Sequence, residues 1–178
     1  MSQNAAVWVL IVLSFIAANA PMYLTKPLLF LPWQLKGEPA RPAGLRYALF
    51  IAYTGLLVAV GWVIHAVLSQ TFFVSLAQLL VAALVFVVVM VAVFAIPVWS
   101  YRHHTIEKSF FARLLETTAL YGFMGLLGVG FESSLGNVFP QKWEFYVITY
   151  CLFAILAYPG FVLRYLLKRR RVLVPQKA

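Results

Sequence analysis

The stretch WEFYVITYCLFAILAYPGFVLRYLLKRRR, residues 143–171, decides the class of fold. It opens with aromatic residues, continues as an apolar run and ends in a block of cations. Aromatic residues at one end and Lys or Arg at the other are typical of a helix that crosses a membrane. The stretch therefore predicts a membrane anchor with a defined stop. The residues that we predict to lie at its two interfaces are Trp143, Tyr146, Arg164 and Tyr165.

The same stretch predicts a bent helix. Pro159 and Gly160 interrupt the apolar run about one turn before Arg164, and proline inside a helix is a usual cause of a kink. A bent helix could fit against a curved neighbouring protein, or it could line a crevice for lipid or quinone. The residues alone leave both interpretations open.

The composition of the whole chain is that of a membrane protein. Hydrophobic residues make up 63% of the 178 residues and charged residues only 11%, and the mean hydropathy is +0.90. These values lie outside the range of soluble globular proteins. The net charge of +9 does not indicate nucleic-acid binding, because the cations flank apolar segments. With a single cysteine, Cys151, the chain cannot form an internal disulfide.

We predict an all-α integral membrane protein with one domain, residues 1–178, and five transmembrane helices. Each span needs roughly 20 apolar residues. Ala18-Asn19-Ala20 in the first span looks like the cleavage site of a signal peptide, but the span lacks a basic n-region and Pro21 directly follows these three residues. We therefore expect the first span to be a retained anchor. The predicted spans are residues 5–25, 47–68, 72–96, 110–131 and 143–165, and residues 26–46 form a Pro-rich connector.

The distribution of cations predicts the orientation. All of the 14 Lys and Arg residues except Lys142 lie in the connector, between spans three and four or at the start of span four, or at the end of span five and in the tail. Five spans place these three regions on one side, and cations remain on the cytoplasmic side. The N-terminus is therefore predicted to lie outside and the C-terminus in the cytoplasm.

Three local features carry further expectations. The four prolines of the connector favour an extended cytoplasmic segment. The short link at residues 69–71 predicts a tight antiparallel hairpin of spans two and three. The valine-rich run at residues 81–93 predicts that span three is a lipid-facing wall.

Glycines in span four predict close helix packing. Small residues let helices approach in lipid, where no hydrophobic force drives association. The helix that lies against them could belong to this chain or to a partner. The glycines to which we assign this packing are Gly122, Gly125 and Gly128.

Arg113 and Glu116 are the deepest charged residues of span four and share one helix face. They are expected to pair with each other at the interface. Two further interpretations are a contact between subunits and the end of a polar path.

The residues favour no catalytic or metal site. His65 lies near the outer end of span two, far from His103 and His104 in the loop before span four. The adjacent histidines with Glu107 indicate a solvated turn better than a metal site, because no further ligand completes the set. No Ser, Thr or Cys has a His and an acid at a matching depth. We therefore predict no enzyme, no metal and no cofactor.

Three stretches resemble a family of small bacterial inner-membrane proteins of unknown function, the domain of unknown function 2818. They are AAVWVLIVLSFIAANAP, KSFFARLLETTALYGF and FPQKWEFYVITYCLFAILAYPGFVLRYLL, and the resemblance covers residues 5–32 and 108–170. It implies a protein of the bacterial inner membrane whose shorter relatives have three spans and are often encoded beside genes of respiratory complex I. On this comparison, residues 47–96 are an extra two-helix hairpin.

Three functions follow as hypotheses. The first, which rests on the resemblance, is a non-catalytic accessory or assembly subunit of a respiratory membrane complex, with complex I favoured. Its partners would be subunits of that complex and membrane lipids. The second is a small homo-oligomeric transporter or channel with Arg113, Glu116 and His65 along a path. The third is a membrane enzyme acting on lipid or quinone, supported only by His103, His104 and Glu107.

Overall fold

The computed structural model describes residues 3–70, 75–134 and 140–167, and all of its regular elements in those ranges are helices. The basic tail beyond Leu167 and part of the link between the second and third helices lie outside the described residues. The helices are α1 Gln3–Tyr23, α2 Ala43–Ser69, α3 Leu76–Ser100, α4 Phe110–Ser134, α5 Trp143–Leu156 and α6 Tyr158–Phe161, followed by a π-helical segment Val162–Leu167.

Four of these helices, α1 to α4, are long and apolar enough to cross a membrane. The pair formed by α5 and residues 158–167 would be a fifth span if the bent pair counts as one. The prediction of an all-helical chain is therefore confirmed, with four to five candidate spans.

Helix α4 lies at the centre and packs mainly on α1 and α2. Its buried residues recur every three or four positions, the spacing that places them on one helix face. They include Leu120, Phe123, Met124, Leu127 and Phe131. Helix α5 packs on α1 at the side of this core.

Helix α3 is not a lipid-facing wall on every side. Its valines Val81, Val85, Val88 and Val91 are exposed, as expected for that role. A second face, which includes Leu79, Phe86, Met90 and Phe94, is buried in the core. The ring centroid of Phe94 lies 5.8 Å from that of Phe123 on α4. This buried face was not recognised in the sequence, because its larger side chains are widely spaced among the valines of α3.

Helices α2 and α3 meet at one end and separate toward the other. The Tyr53 hydroxyl lies 3.3 Å from the Val93 carbonyl oxygen. In a regular α-helix the N–H of residue 97 would donate to the Val93 carbonyl, but Pro97 has no N–H. The Tyr53 hydroxyl takes the place of that missing donor. Toward the end of α2 and the start of α3, an apolar cleft of about 870 Å³ separates the two helices. They therefore do not pack tightly along their length as the short link predicted.

The connector is packed rather than extended into solvent. Leu28, Phe30, Leu31 and Leu35 are buried. The Glu107 N–H donates to the Lys36 carbonyl at 2.9 Å, which joins the connector to the loop after α3. We call residues 24–42 and 101–109 together the cap. The cap covers one end of the bundle. Its prolines prevent a helix, but the apolar side chains between them can still be buried.

Candidate functional site

The most distinctive side chain of the structure is Glu116, a fully buried carboxylate in the second turn of α4. Its Oε2 atom accepts a hydrogen bond from Lys108 Nζ at 2.6 Å, and neither side chain is exposed. Its Oε1 atom accepts from the Leu28 N–H at 2.7 Å. A buried charge is tolerated only when it is paired and hydrogen-bonded. Both oxygens of Glu116 meet that condition.

Lys108 was not among the candidate site residues. It lies just before α4 and eight residues before Glu116, so no helix-face spacing relates the two. Burial lowers the pKa of Lys108, and the Glu116 carboxylate acts against this shift by favouring the charged amine. The only signal in the sequence was an acidic residue eight positions after a lysine. Such a spacing is common in proteins and therefore does not identify a buried pair.

Arg113 does not form the expected pair with Glu116. Its Nη1 atom donates to the carbonyl oxygens of Pro21 at 2.8 Å and Met22 at 3.2 Å. These carbonyls belong to the last turn of α1, where a helix leaves its acceptors without internal partners. Arg113 therefore caps α1, as cations near helix C-termini do.

A tyrosine completes the contacts to the connector. The Tyr53 hydroxyl lies 3.2 Å from the Leu28 carbonyl oxygen, so both backbone polar groups of Leu28 have partners on the helices. Lys26 Nζ donates to the carbonyl oxygens of Tyr101 and Arg102 at 3.1 and 3.3 Å, and also to that of His104. We call Lys108, Arg113, Glu116 and Tyr53 the buried polar cluster. It fixes the cap to α1, α2 and α4.

A second polar contact lies at the bend of the last span. The axes of α5 and the segment 158–167 differ by 40°, and the break falls at Ala157, two residues before Pro159. A proline has no N–H to donate to the carbonyl four residues earlier, and its ring clashes with that carbonyl. The helix is therefore broken in the turn before Pro159. Asn19 of α1 fills the break with hydrogen bonds to the Leu156 carbonyl and the Gly160 N–H.

The glycines of α4 have two kinds of environment. A side chain at Gly128 would meet Leu10 of α1 at 3.4 Å, and one at Gly130 would meet Leu68 of α2 at 2.7 Å. A side chain at Gly122 or Gly125 would meet no described atom within 4 Å. Gly128 thus packs inside this chain, while Gly122 and Gly125 form an open face.

The predicted interface anchors lie at the two ends of the last span. Trp143 is 72% exposed and Tyr146 is exposed at the start of α5. At the other end, Arg164 and Tyr165 are half-buried, and the Tyr165 ring lies 4.9 Å from that of Phe161. Arg164 and Tyr165 are also close enough to act electrostatically on Arg113.

The histidines remain apart from the buried polar cluster. His65 lies twelve residues beyond Tyr53 on α2, about 18 Å along the helix axis. His103 accepts from Arg102 Nε at 2.8 Å on the surface of the cap. Within residues 3–70, 75–134 and 140–167, no group of three His, Cys, Asp or Glu side chains could hold a metal ion.

The arrangement can hold segments together. Glu116 joins the connector to Lys108, Arg113 joins α4 to the end of α1, and Asn19 joins α1 to the bend. Each of these polar groups is at least nine-tenths buried.

Residues 69–168 match the model of a family described as "Protein of unknown function (DUF2818)". The matched region begins at the last residue of α2 and includes α3, α4 and α5. Helix α3 therefore lies inside the family region, and the match does not support residues 47–96 as one added hairpin. The resemblance of residues 5–32 to the family lies outside the match and stays a prediction.

We found no significant match to a curated protein or to a solved structure. The family match covers more than half of the 178 residues. The chain therefore belongs to the DUF2818 family of proteins of unknown function.

Proposed function

We propose that this chain is a non-catalytic accessory or assembly subunit of a respiratory membrane complex, with complex I as the favoured complex. It would lie in the bacterial inner membrane with its N-terminus outside and its C-terminus in the cytoplasm. The choice of complex rests on the family resemblance, and the proposed orientation rests on the distribution of cations.

The open face of α4 is the observation that carries the proposal. Gly122 and Gly125 lie one turn apart, and a side chain at either position would meet no described atom within 4 Å. In lipid, such a surface lets a second helix approach closely enough for extensive van der Waals contact. The other two glycines of this helix already contact α1 and α2. A partner helix at Gly122 and Gly125 would repeat that packing on the uncovered side.

The buried polar cluster supports a structural role. Arg113 and Glu116 are 2% and 0% exposed, and their hydrogen bonds go to the ends of this chain's own elements. A transport path would need such groups to face water or a substrate. His65, the third residue of the transport hypothesis, is exposed on α2 and about 18 Å from Tyr53 along the helix. A flux assay in reconstituted vesicles would test transport, and flux above that of lipid vesicles would contradict our proposal.

The direct test is affinity purification of the C-terminally tagged chain from native membranes in a mild detergent, followed by mass spectrometry. We expect stoichiometric recovery of subunits of a respiratory complex. The variant Gly122→Leu/Gly125→Leu should lose them, because two leucines would block close approach of a helix. Recovery of the wild-type chain alone, at the mass of a monomer or small homo-oligomer, would overturn the proposal.

Gly55→Leu is the matched control. Gly55 lies in the middle of α2, and a Cβ atom added there would meet no described atom within 4 Å, as at Gly122 and Gly125. This position should tolerate leucine, and the variant should keep the partner. Equal loss of the partner in both variants would show that the open face of α4 is not the docking surface.

A further inference from the structure

Three cations lie close together where α1, α4 and the last span meet. Burial lowers the pKa of Lys108, Glu116 opposes that shift, and the positive charges of Arg113 and Arg164 add to it. Arg164 also acts directly on Arg113. Of these three cations, only Lys108 forms an ion pair with a carboxylate among the described residues. The charge of Glu116 therefore balances one cation, and two positive charges remain at this junction.

The basic end of the last span packs against α1 and α4. A Cβ atom added at Gly160 would lie 2.9 Å from the Cβ atom of Met22, whose carbonyl oxygen accepts a hydrogen bond from Arg113. The Tyr165 ring centroid lies 6.4 Å from that of Phe110, which is three residues before Arg113 on α4. Contacts between uncharged groups therefore hold this end of the span beside Arg113.

The two arginines have no anionic partner within the described residues. Both hydrogen bonds from Arg113 to the backbone come from Nη1, and its buried Nε atom has no hydrogen-bond partner in the described ranges. Arg164 is half-buried. All five acidic residues of the chain lie in those ranges, and none of them forms an ion pair with either arginine. Because buried charges are normally paired, an anion from outside the chain would complete this site.

The surroundings of the two arginines favour the phosphate of a lipid as that anion. A guanidinium presents paired N–H donors in one plane, and this geometry matches a phosphate. Exposed apolar side chains lie beside the arginines, Phe110 on α4 and Leu163 and Leu166 on the last span. A phospholipid complements both features, because its phosphate lies where a span leaves the hydrocarbon core and its acyl chains lie within that core.

We propose that Arg113, Arg164 and Tyr165 bind the phosphate group of an anionic phospholipid. Arg164 and the Tyr165 hydroxyl would contact the phosphate, and Arg113 would attract it from the buried side. Phosphatidylglycerol suits the two unbalanced charges, whereas the choline of phosphatidylcholine would add a positive charge beside them. The inference rests on insertion of the last span into a bilayer and does not depend on a respiratory partner. Absence of partner subunits in the purification above would leave it standing.

The test is native mass spectrometry of the purified, delipidated full-length chain after incubation with phosphatidylglycerol and phosphatidylcholine of identical acyl chains. We expect the wild type to retain phosphatidylglycerol in preference by a factor on the order of tenfold, which corresponds to one charge-assisted hydrogen bond. Arg164→Gln should remove this preference, because the amide has no charge to offer the phosphate.

Arg102→Gln is the matched control. Arg102 is an exposed arginine of the cap, at the same end of the bundle, and its substitution removes the same charge from the chain. This variant should keep the preference of the wild type. Equal loss of the preference in Arg102→Gln and Arg164→Gln would overturn the proposal, because it would show attraction to a charged surface rather than binding at a site.

Two measurements separate lipid binding from folding. Without lipid, Arg164→Gln should unfold in detergent at the wild-type temperature or above it, because the substitution removes a like charge from beside Arg113. Tyr165→Phe keeps the aromatic ring and removes only the hydroxyl, so it should lower the preference by a smaller factor. If Arg164→Gln cannot be purified, an unchanged preference in Tyr165→Phe would overturn the proposal.

Inorganic phosphate at matched ionic strength distinguishes a soluble ligand from a lipid. A ligand that binds the folded chain raises its unfolding temperature. If inorganic phosphate does so for the wild type but not for Arg164→Gln, and neither phospholipid is preferred, the site takes free phosphate and the lipid is excluded. Equal retention of both phospholipids without such a response to inorganic phosphate would overturn the site itself.

Discussion

Asn19 Oδ1 accepts the Gly160 N–H at 2.8 Å, although in an unbroken α-helix that N–H would donate to the Leu156 carbonyl. Asn19 Nδ2 donates to the same carbonyl, also at 2.8 Å. A side-chain amide has an acceptor and two donors, so one residue of α1 replaces the missing backbone hydrogen bond at both of its ends. The bend of the last span is thus held by another helix.

We predict that Asn19→Leu destabilises the protein. The substitution has similar volume but leaves the Leu156 carbonyl and the Gly160 N–H without the bonds that Asn19 supplies. Each buried polar group left unsatisfied costs about 1 to 3 kcal/mol. Thermal unfolding in detergent should show a clearly lower midpoint. Asn4→Leu, on the exposed first turn of the same helix, should unfold as the wild type does. Equal midpoints for all three proteins would contradict a bridging role.

We predict strong coupling between Lys108 and Glu116. Lys108→Met leaves the Glu116 carboxylate buried without its cation, and breaking a buried pair in this way costs roughly 3 to 5 kcal/mol. In Lys108→Met/Glu116→Gln no charge remains, and the amide oxygen can still accept the Leu28 N–H. The double variant should therefore be more stable than Lys108→Met alone.

Thermal unfolding of the wild type, the two single variants and the double variant completes this cycle. Lys142→Met, an exposed lysine at the other end of the bundle, controls for loss of a positive charge. Additive effects of the two substitutions would show that the pair does not interact energetically.

We predict that Gly37→Ala loosens the cap. Gly37 has φ +84°, a conformation that disfavours any residue with a Cβ atom. An added Cβ would also meet the Thr105 carbonyl oxygen across the contact between the connector and the loop after α3. Limited proteolysis should cut the connector faster in this variant. Gly44→Ala, at a position with no described atom within 4 Å of the new Cβ, should be cut at the wild-type rate.

Ionisation of Tyr101 should make the stability of the folded chain depend on pH in the alkaline range. Burial raises the pKa of Tyr101, and so does the hydrogen bond from its hydroxyl to Glu38 at 2.7 Å. Below pH 10.0, the ordinary value, the phenol is neutral in the folded and unfolded chains and its stabilising contribution is complete. Above that pH the unfolded chain ionises first, so the contribution is lost as the pH rises through the raised pKa of the folded state.

Ultraviolet titration of phenolate checks this expectation. The difference between the wild type and Tyr101→Phe should show one tyrosine that ionises above the usual range near 10. The fall of thermal stability above pH 10.0 should also be shallower in Tyr101→Phe. Ionisation of this tyrosine at its ordinary pKa would contradict the buried environment.

The apolar runs were readable from the sequence because a span needs a local run of suitable length, and four to five candidate spans are present. The cap was not readable in the same way. Its prolines correctly excluded a helix up to Pro42, although α2 begins at Ala43, four residues before the predicted start of span two. Burial of Phe30 depends on Tyr101 in the loop after α3, more than seventy residues later.

The candidate site shows the same division. Arg113 and Glu116 were found because charges in an apolar run are conspicuous. Their partners were not, because Lys108 reaches Glu116 from outside the helix and Arg113 meets the end of α1. Asn19 attracted attention only as part of a possible cleavage sequence, and its contact at Gly160 is 141 positions away.

The sequence by itself determined the helical class, the candidate spans and the concentration of cations between particular spans, because these follow from hydropathy and charge within short windows. Only the tertiary structure decided which polar groups meet, which glycines of α4 stay open, and that α2 and α3 part around a cleft. Those outcomes depend on the distances between helices, which are set by packing over the whole chain and not by any local run of residues.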